Sequence, residues 1–164
     1  MDVKLVQQTS GGCLIQSLQA SPCGRFVLAQ LTTKFSYSVP ISRFGKDVQL
    51  WDLDSDSIVE VASLPADDEI GLSYDACSRH PRGFHFHPCE DHTIIYVKAL
   101  DGGESLAVEF EGERDALYTR ALDEGSLMLG DAVKLVGLDW RYADLDFCES
   151  GMGVLEEYRW KDRM

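Results

Sequence analysis

Short segments in which apolar and polar positions alternate, or in which β-branched and aromatic residues cluster, recur along the chain. They are Arg25-Phe26-Val27-Leu28-Ala29-Gln30-Leu31, Val48-Gln49-Leu50-Trp51-Asp52-Leu53, Ser57-Ile58-Val59-Glu60-Val61, Thr93-Ile94-Ile95-Tyr96-Val97, Ala116-Leu117-Tyr118-Thr119-Arg120-Ala121-Leu122 and Gly153-Val154-Leu155-Glu156-Glu157-Tyr158. A period of two with this composition fits a pleated, half-buried surface and predicts strands. Turn formers separate them: Ser21-Pro22-Cys23-Gly24, Asp54-Ser55-Asp56, His87-Pro88-Cys89-Glu90-Asp91, Asp101-Gly102-Gly103 and Glu149-Ser150-Gly151. No stretch carries a sustained apolar stripe at helical spacing. Residues 66–82, with Pro65 and Pro81 at their flanks, read as a long loop with room for a helical turn. The predicted class is all-β.

The turns at Ser21-Pro22, His87-Pro88 and Glu149-Ser150-Gly151 each precede a strand, which makes a weak internal repeat. Trp51-Asp52-Leu53 closes a later strand of the first unit, and Tyr118-Thr119-Arg120-Ala121-Leu122 holds a similar place in the second. The spacing is that of a four-stranded propeller blade. About two to two and a half blades fit 164 residues. The expected layout is a lead-in over 1–17, a first blade over about 18–82, a second over about 83–138, the start of a third over about 139–161, and a tail at 162–164. A propeller ring needs roughly 4 to 8 blades to close. A partial propeller therefore leaves an apolar face and strand edges that call for a partner or for self-association.

A further set of motifs is more specific in its order: Ser21-Pro22-Cys23-Gly24-Arg25-Phe26, Phe35-Ser36-Tyr37-Ser38-Val39-Pro40, Ser42-Arg43-Phe44, Val48-Gln49-Leu50-Trp51-Asp52-Leu53, Leu64-Pro65-Ala66-Asp67-Asp68-Glu69-Ile70 and Ala99-Leu100-Asp101-Gly102-Gly103. Arg114-Asp115 with Leu117-Tyr118, and Trp140-Arg141-Tyr142-Ala143, extend the set. Over residues 18–161 the chain resembles an internal segment of the N-terminal β-propeller of the glutamyl-endopeptidase branch of the prolyl oligopeptidase family of serine peptidases. It departs from that pattern at Cys23, where the family has a turn aspartate, near Thr33-Lys34-Phe35, where one residue is missing, and over residues 126–131. The resemblance implies a propeller that caps an α/β-hydrolase domain, with the Ser, Asp and His of the catalytic triad all in that domain. No catalytic residue carries over to any position of this sequence, and no cofactor is implied. The parent activity it implies is cleavage after glutamate, which this chain would support without performing.

The formal net charge of −13 and the lack of a basic patch exclude nucleic acid and an anionic membrane as expected partners. The acidic residues at 67–69, 109–113 and 144–149 read as solvated loops and strand edges. No apolar run approaches the roughly 20 residues of a membrane span, and Met1-Asp2-Val3-Lys4 does not open like a secretory signal. The expectation is an intracellular chain, in the cytoplasm of a bacterium or the plastid stroma of a photosynthetic eukaryote. Cys13, Cys23, Cys77, Cys89 and Cys148 are odd in number and irregular in spacing, as expected of free thiols in a reducing compartment.

Gly71-Leu72-Ser73-Tyr74-Asp75 is the nearest approach to a nucleophile elbow, but it lacks the closing glycine and follows an acidic loop. His85, His87, Cys89 and His92 form the candidate metal cluster, since the first two share a strand face and the others follow around a turn. The competing reading makes Phe84-His85-Phe86-His87-Pro88 the first strand of the second blade. Asp52-Leu53-Asp54-Ser55-Asp56-Ser57 opens like a calcium loop but has Ser57 and Ser63 where glycine and glutamate belong, so a hairpin turn is expected. Trp51, Trp140, Tyr96 and Tyr118 are expected to pack between blades. Three functions follow: a non-catalytic propeller segment partnered by further blades and a hydrolase domain, an autonomous interaction module assembling through blade edges, and a small metal-binding domain.

Overall fold

The computed structural model describes residues 14–71, 73–106, 108–123, 127–148 and 153–159. Cys13, Leu72, the Glu149-Ser150-Gly151 turn and the 162–164 tail lie outside these residues. The structure is all-β. The first sheet is a meander in the order β1 (Leu14–Ala20), β2 (Phe26–Lys34), β3 (Gly45–Asp52), β4 (Ser57–Leu64). In the second, β5 (Arg82–Phe86), β6 (Thr93–Ala99) and β7 (Asp115–Asp123) are followed by β8 (Met128–Leu129) and β9 (Val133–Leu138), which share the far side of β7. A hairpin of β10 (Arg141–Phe147) and β11 (Gly153–Tyr158) makes the third. Every pairing is antiparallel. This arrangement is compatible with partial propeller blades. No helix among the described residues is long and apolar enough to cross a membrane.

Alternation along the central strands sends side chains to two different cores. From the first sheet Phe26, Leu28, Val48, Leu50 and Val61 pack against Phe84, Phe86, Ile94, Tyr96 and Leu122 of the second. The opposite face of the second sheet supplies Ile95, Val97, Leu117 and Leu138, on which Tyr142, Leu145, Phe147 and Leu155 of the hairpin rest. Thus β6 is buried on both faces, and its unbroken apolar run Thr93-Ile94-Ile95-Tyr96-Val97 reflects that. Tyr96 stacks on Phe84 at 5.3 Å and on Tyr118 at 5.7 Å between ring centroids.

The outer face of the first sheet is also apolar. Ala29, Leu31 and Trp51 form its buried centre. Register places Leu18 beside Ala29, Ile15 beside Leu31 and Ile58 beside Trp51. These flanking residues stand 53%, 52% and 44% exposed.

The turns follow the sequence. Ser21 Oγ accepts the Phe26 amide at 3.0 Å and the Ser21 carbonyl accepts the Gly24 amide at 2.9 Å, so the turn closes with a cysteine at position 23. Asp52 ends β3 by accepting Arg25 Nε at 3.1 Å and Nη2 at 2.9 Å, the Asp54 amide at 3.0 Å and Ser55 Oγ at 2.8 Å. The Arg25 hydrogen bonds hold its carboxyl far below the usual range against the opposing effect of burial. The stretch resembling a calcium loop is therefore a hairpin turn, with its first carboxylate committed to Arg25.

Residues 65–81 hold no helical turn among those described, and a single 3-10 turn lies instead at Ile41–Arg43, before the Phe44-to-Gly45 entry into β3. The first strand begins at Leu14, inside the stretch expected to be a lead-in.

Candidate functional site: a buried ion network beneath an end cleft

At one end of the second and third sheets, five charged residues from four separate segments meet. Asp101 follows β6 in the Asp101-Gly102-Gly103 turn, Arg114 and Asp115 open β7, Arg82 opens β5 and Arg141 opens β10. Asp101 Oδ1 and Oδ2 accept Arg141 Nη1 and Nη2 at 2.9 and 2.7 Å in a bidentate pair, and Oδ2 also accepts Arg114 Nη1 at 3.0 Å. Asp115 Oδ1 accepts Arg141 Nη1 at 3.0 Å, while Oδ2 accepts the Tyr142 amide at 2.8 Å and Arg82 Nη2. Arg141 Nε donates to the Asp75 carbonyl at 2.9 Å and Nη2 to that of Glu104. Arg141 and Asp115 are 1% and 0% exposed, so these charges are desolvated and their stability depends on complete pairing.

Gly103 makes this turn possible. Its φ is +81°, and a Cβ there would stand 2.1 Å from the Cys77 carbonyl oxygen, whose own amide donates to the Gly103 carbonyl at 3.0 Å. The long 65–81 loop is thereby tied to the network. Burial pushes the Cys77 thiol up, which keeps it protonated and unreactive.

Burial alone would raise the Asp101 carboxyl, but the Arg141 hydrogen bonds, the Gly103 amide and Arg114 together lower it. A folded-state value below the unfolded one means that Asp101 stabilises the fold above an unfolded pKa of about 3.9, and that this contribution is lost as pH falls toward the folded value. Asp101→Asn is expected to show its largest deficit near pH 7, narrowing through the acid range. Urea unfolding midpoints of both proteins across pH 3 to 7 check this; a deficit independent of pH would refute it.

Above the network lies an open cleft of about 1100 Å³, with Ser73, Asp75, Phe110, Arg114, Trp140 and Arg159 among its lining residues. Ser73 Oγ donates to Asp75 Oδ1 at 2.5 Å, and Ser105 Oγ lies 3.0 Å from Ser73 Oγ and 3.2 Å from Asp75 Oδ1. Asp75 keeps a lowered pKa because these hydroxyls and backbone amides outweigh its burial. A carboxylate that gives up its proton so readily is a poor base, and no histidine is among the described residues that line the cleft beside Ser73. Trp140 differs from expectation: it lines this cleft, with the Arg159 guanidinium 4.3 Å from its ring, and does not pack between sheets.

The candidate metal residues have other engagements. His85 Nδ1 donates to the Gly83 carbonyl at 2.8 Å, His87 Nδ1 accepts the Cys89 amide at 3.2 Å and its ring meets Phe147 at 4.7 Å, and the His92 ring meets Phe26 at 5.4 Å. Among the described residues no group of three or more His, Cys, Asp or Glu side chains is placed to hold a metal ion. The Arg–Asp network was missed at the sequence level. Its trace there is the position of Arg114-Asp115 and Arg141 at strand starts.

No protein-family profile matches the chain, and no solved structure does. Two curated proteins are similar to it. A rice (Oryza sativa subsp. japonica) protein named "Probable glutamyl endopeptidase, chloroplastic" is 27% identical over 149 residues, which is 90% of this chain and 15% of the relative. An Arabidopsis thaliana protein of the same name is 22% identical over 160 residues, 96% of this chain and 16% of the relative. The chain is thus distantly related, along nearly its whole length, to plant glutamyl endopeptidases of which it spans about 15%.

Proposed function

We propose that the chain is a non-catalytic propeller segment of a glutamyl endopeptidase-like serine peptidase of the prolyl oligopeptidase family, forming part of a gate over an α/β-hydrolase domain. The observation that carries this reading is the repeated packing. The second sheet docks on the first, and the third hairpin docks on the second, each through an apolar face as in successive blades. The outer face of the first sheet, with Ile15, Leu18 and Ile58 exposed, is where another blade would continue the series. The partners are the remaining blades and the hydrolase domain, and the compartment is the plastid in a plant-like source, as in the names of the relatives.

The same exposed residues favour a second reading, in which the chain is an autonomous module that pairs through this face with another copy. Sedimentation velocity with near-ultraviolet circular dichroism separates the two. A packed monomer that aggregates through its exposed apolar end is the result expected of a segment, whereas a discrete dimer would overturn that reading in favour of the module. Assay of the same sample on a glutamyl peptide substrate is expected to show no hydrolysis; turnover by the pure chain would refute the non-catalytic assignment.

A further inference from the structure

In each sheet, the turn between the first two strands carries an exposed cysteine: Cys23 between β1 and β2, Cys89 between β5 and β6, and Cys148 at the end of β10 before β11. Adjacent turns touch. Cys23 Sγ lies 4.0 Å from the carbonyl oxygen of Asp91, two residues beyond Cys89, and the Phe26 and His92 rings meet beside it. The second turn in turn meets the third through His87 and Phe147. The Cys23 sulfur thus stands at contact distance from the backbone of the second turn, with Ser21 Oγ 3.3 Å on its other side. Residues 88–91 of the second turn are exposed, so the shift that would bring Cys89 to it gives up the Cys89 amide bond to His87 Nδ1 but little packing.

We propose that Cys23 and Cys89 are a thiol–disulfide exchange site that staples the first sheet to the second when the chain meets a low-molecular-weight disulfide such as oxidised glutathione. One of the two cysteines, as thiolate, attacks a sulfur of the glutathione disulfide, forming a mixed disulfide and expelling one glutathione thiolate. The other cysteine loses its proton to solvent, attacks the protein sulfur of the mixed disulfide and expels the second glutathione. Two protein thiols are oxidised, one glutathione disulfide is reduced to two thiols, and no other reactant is needed. Cys77 takes no part, because it is part-buried and its thiol is held protonated. The bond would close the chain between residues 23 and 89 across the main inter-sheet core, which restricts the unfolded ensemble and raises the thermal midpoint by about 10 °C.

The test uses the full chain, reduced, desalted and incubated with oxidised glutathione, then alkylated, digested and analysed by mass spectrometry. The expected result is one peptide pair joined through Cys23 and Cys89, lighter by the two hydrogens lost, with Cys13, Cys77 and Cys148 alkylated. The raised midpoint should revert with dithiothreitol, vanish in Cys23→Ser and Cys89→Ser, and persist in Cys148→Ser. A bond from Cys89 to Cys148, any other pairing, a dimer on a non-reducing gel, or glutathione adducts without a cross-link would overturn the proposal. So would an equal yield of the same bond in 8 M urea, roughly enough to unfold such a chain, since the fold would then contribute nothing to it. The readout identifies a bond within this chain and does not depend on any peptidase role.

Discussion

Arg141→Leu should destabilise the chain by about 3–5 kcal/mol, the range for removing one partner of a buried ion pair. The substitution keeps much of the side-chain volume but strands Asp101 and Asp115, whose carboxylates both rely on this guanidinium. It also removes donors from the Asp75 and Glu104 carbonyls, so the loop beneath the cleft loses its tie to β10. Asp101 retains Arg114 and Asp115 retains Arg82, which keeps the cost from rising further. Urea unfolding at pH 7 measures it, and the thermal midpoint should fall by roughly 10 °C. Arg79→Ala is the control. Its pair with Glu69 is exposed on both sides and is worth under about 1 kcal/mol. Equal effects of the two substitutions would mean that the network does not hold the end of the sheets together.

Phe26→Ala should cost a similar amount, about 3–5 kcal/mol, by a different route. Phe26 is fully buried where the first two sheets meet, its ring touching His92 of the second sheet's first turn and lying under the Arg25 guanidinium at 4.8 Å. Truncation leaves a cavity between two sheets whose backbones are fixed by their own ladders and cannot collapse to fill it. Because the lesion is at the interface, dye binding to apolar surface should rise while the strand signal in far-ultraviolet circular dichroism persists. A loss below about 1 kcal/mol would indicate that the sheets are not packed through this core.

Strands β2, β3 and β6 were legible in the sequence because β-branched and aromatic residues cluster in them, with β6 an unbroken run because both its faces are buried. Register shifts occur in both the legible and the missed strands. What sets β1 and β9 apart is exposure: β1 is exposed along its whole length and β9 over Val133 to Val136, so no buried face imposes a period on them. The ion network was illegible for another reason. Arg82, Asp101, Arg114, Asp115 and Arg141 are scattered over 60 residues, and nothing in local propensity tells a buried arginine from a solvated one. The cleft is likewise a product of four separate segments meeting, so Trp140 read as core when its neighbour Arg141 is the buried one.

The two end faces of the stack are chemically unlike. Asp144, Asp146 and Glu156 project from the hairpin away from the second sheet, opposite Leu145 and Leu155, and all three are exposed. The other end presents Ile15, Leu18 and Ile58. A head-to-tail contact would bury carboxylates against hydrocarbon, which disfavours adding copies one upon another into a filament. If two copies were to meet through the same apolar end about a twofold axis, that contact would consume both sticky surfaces at once. Such an association would terminate at two, the outcome that favours the autonomous module over the segment.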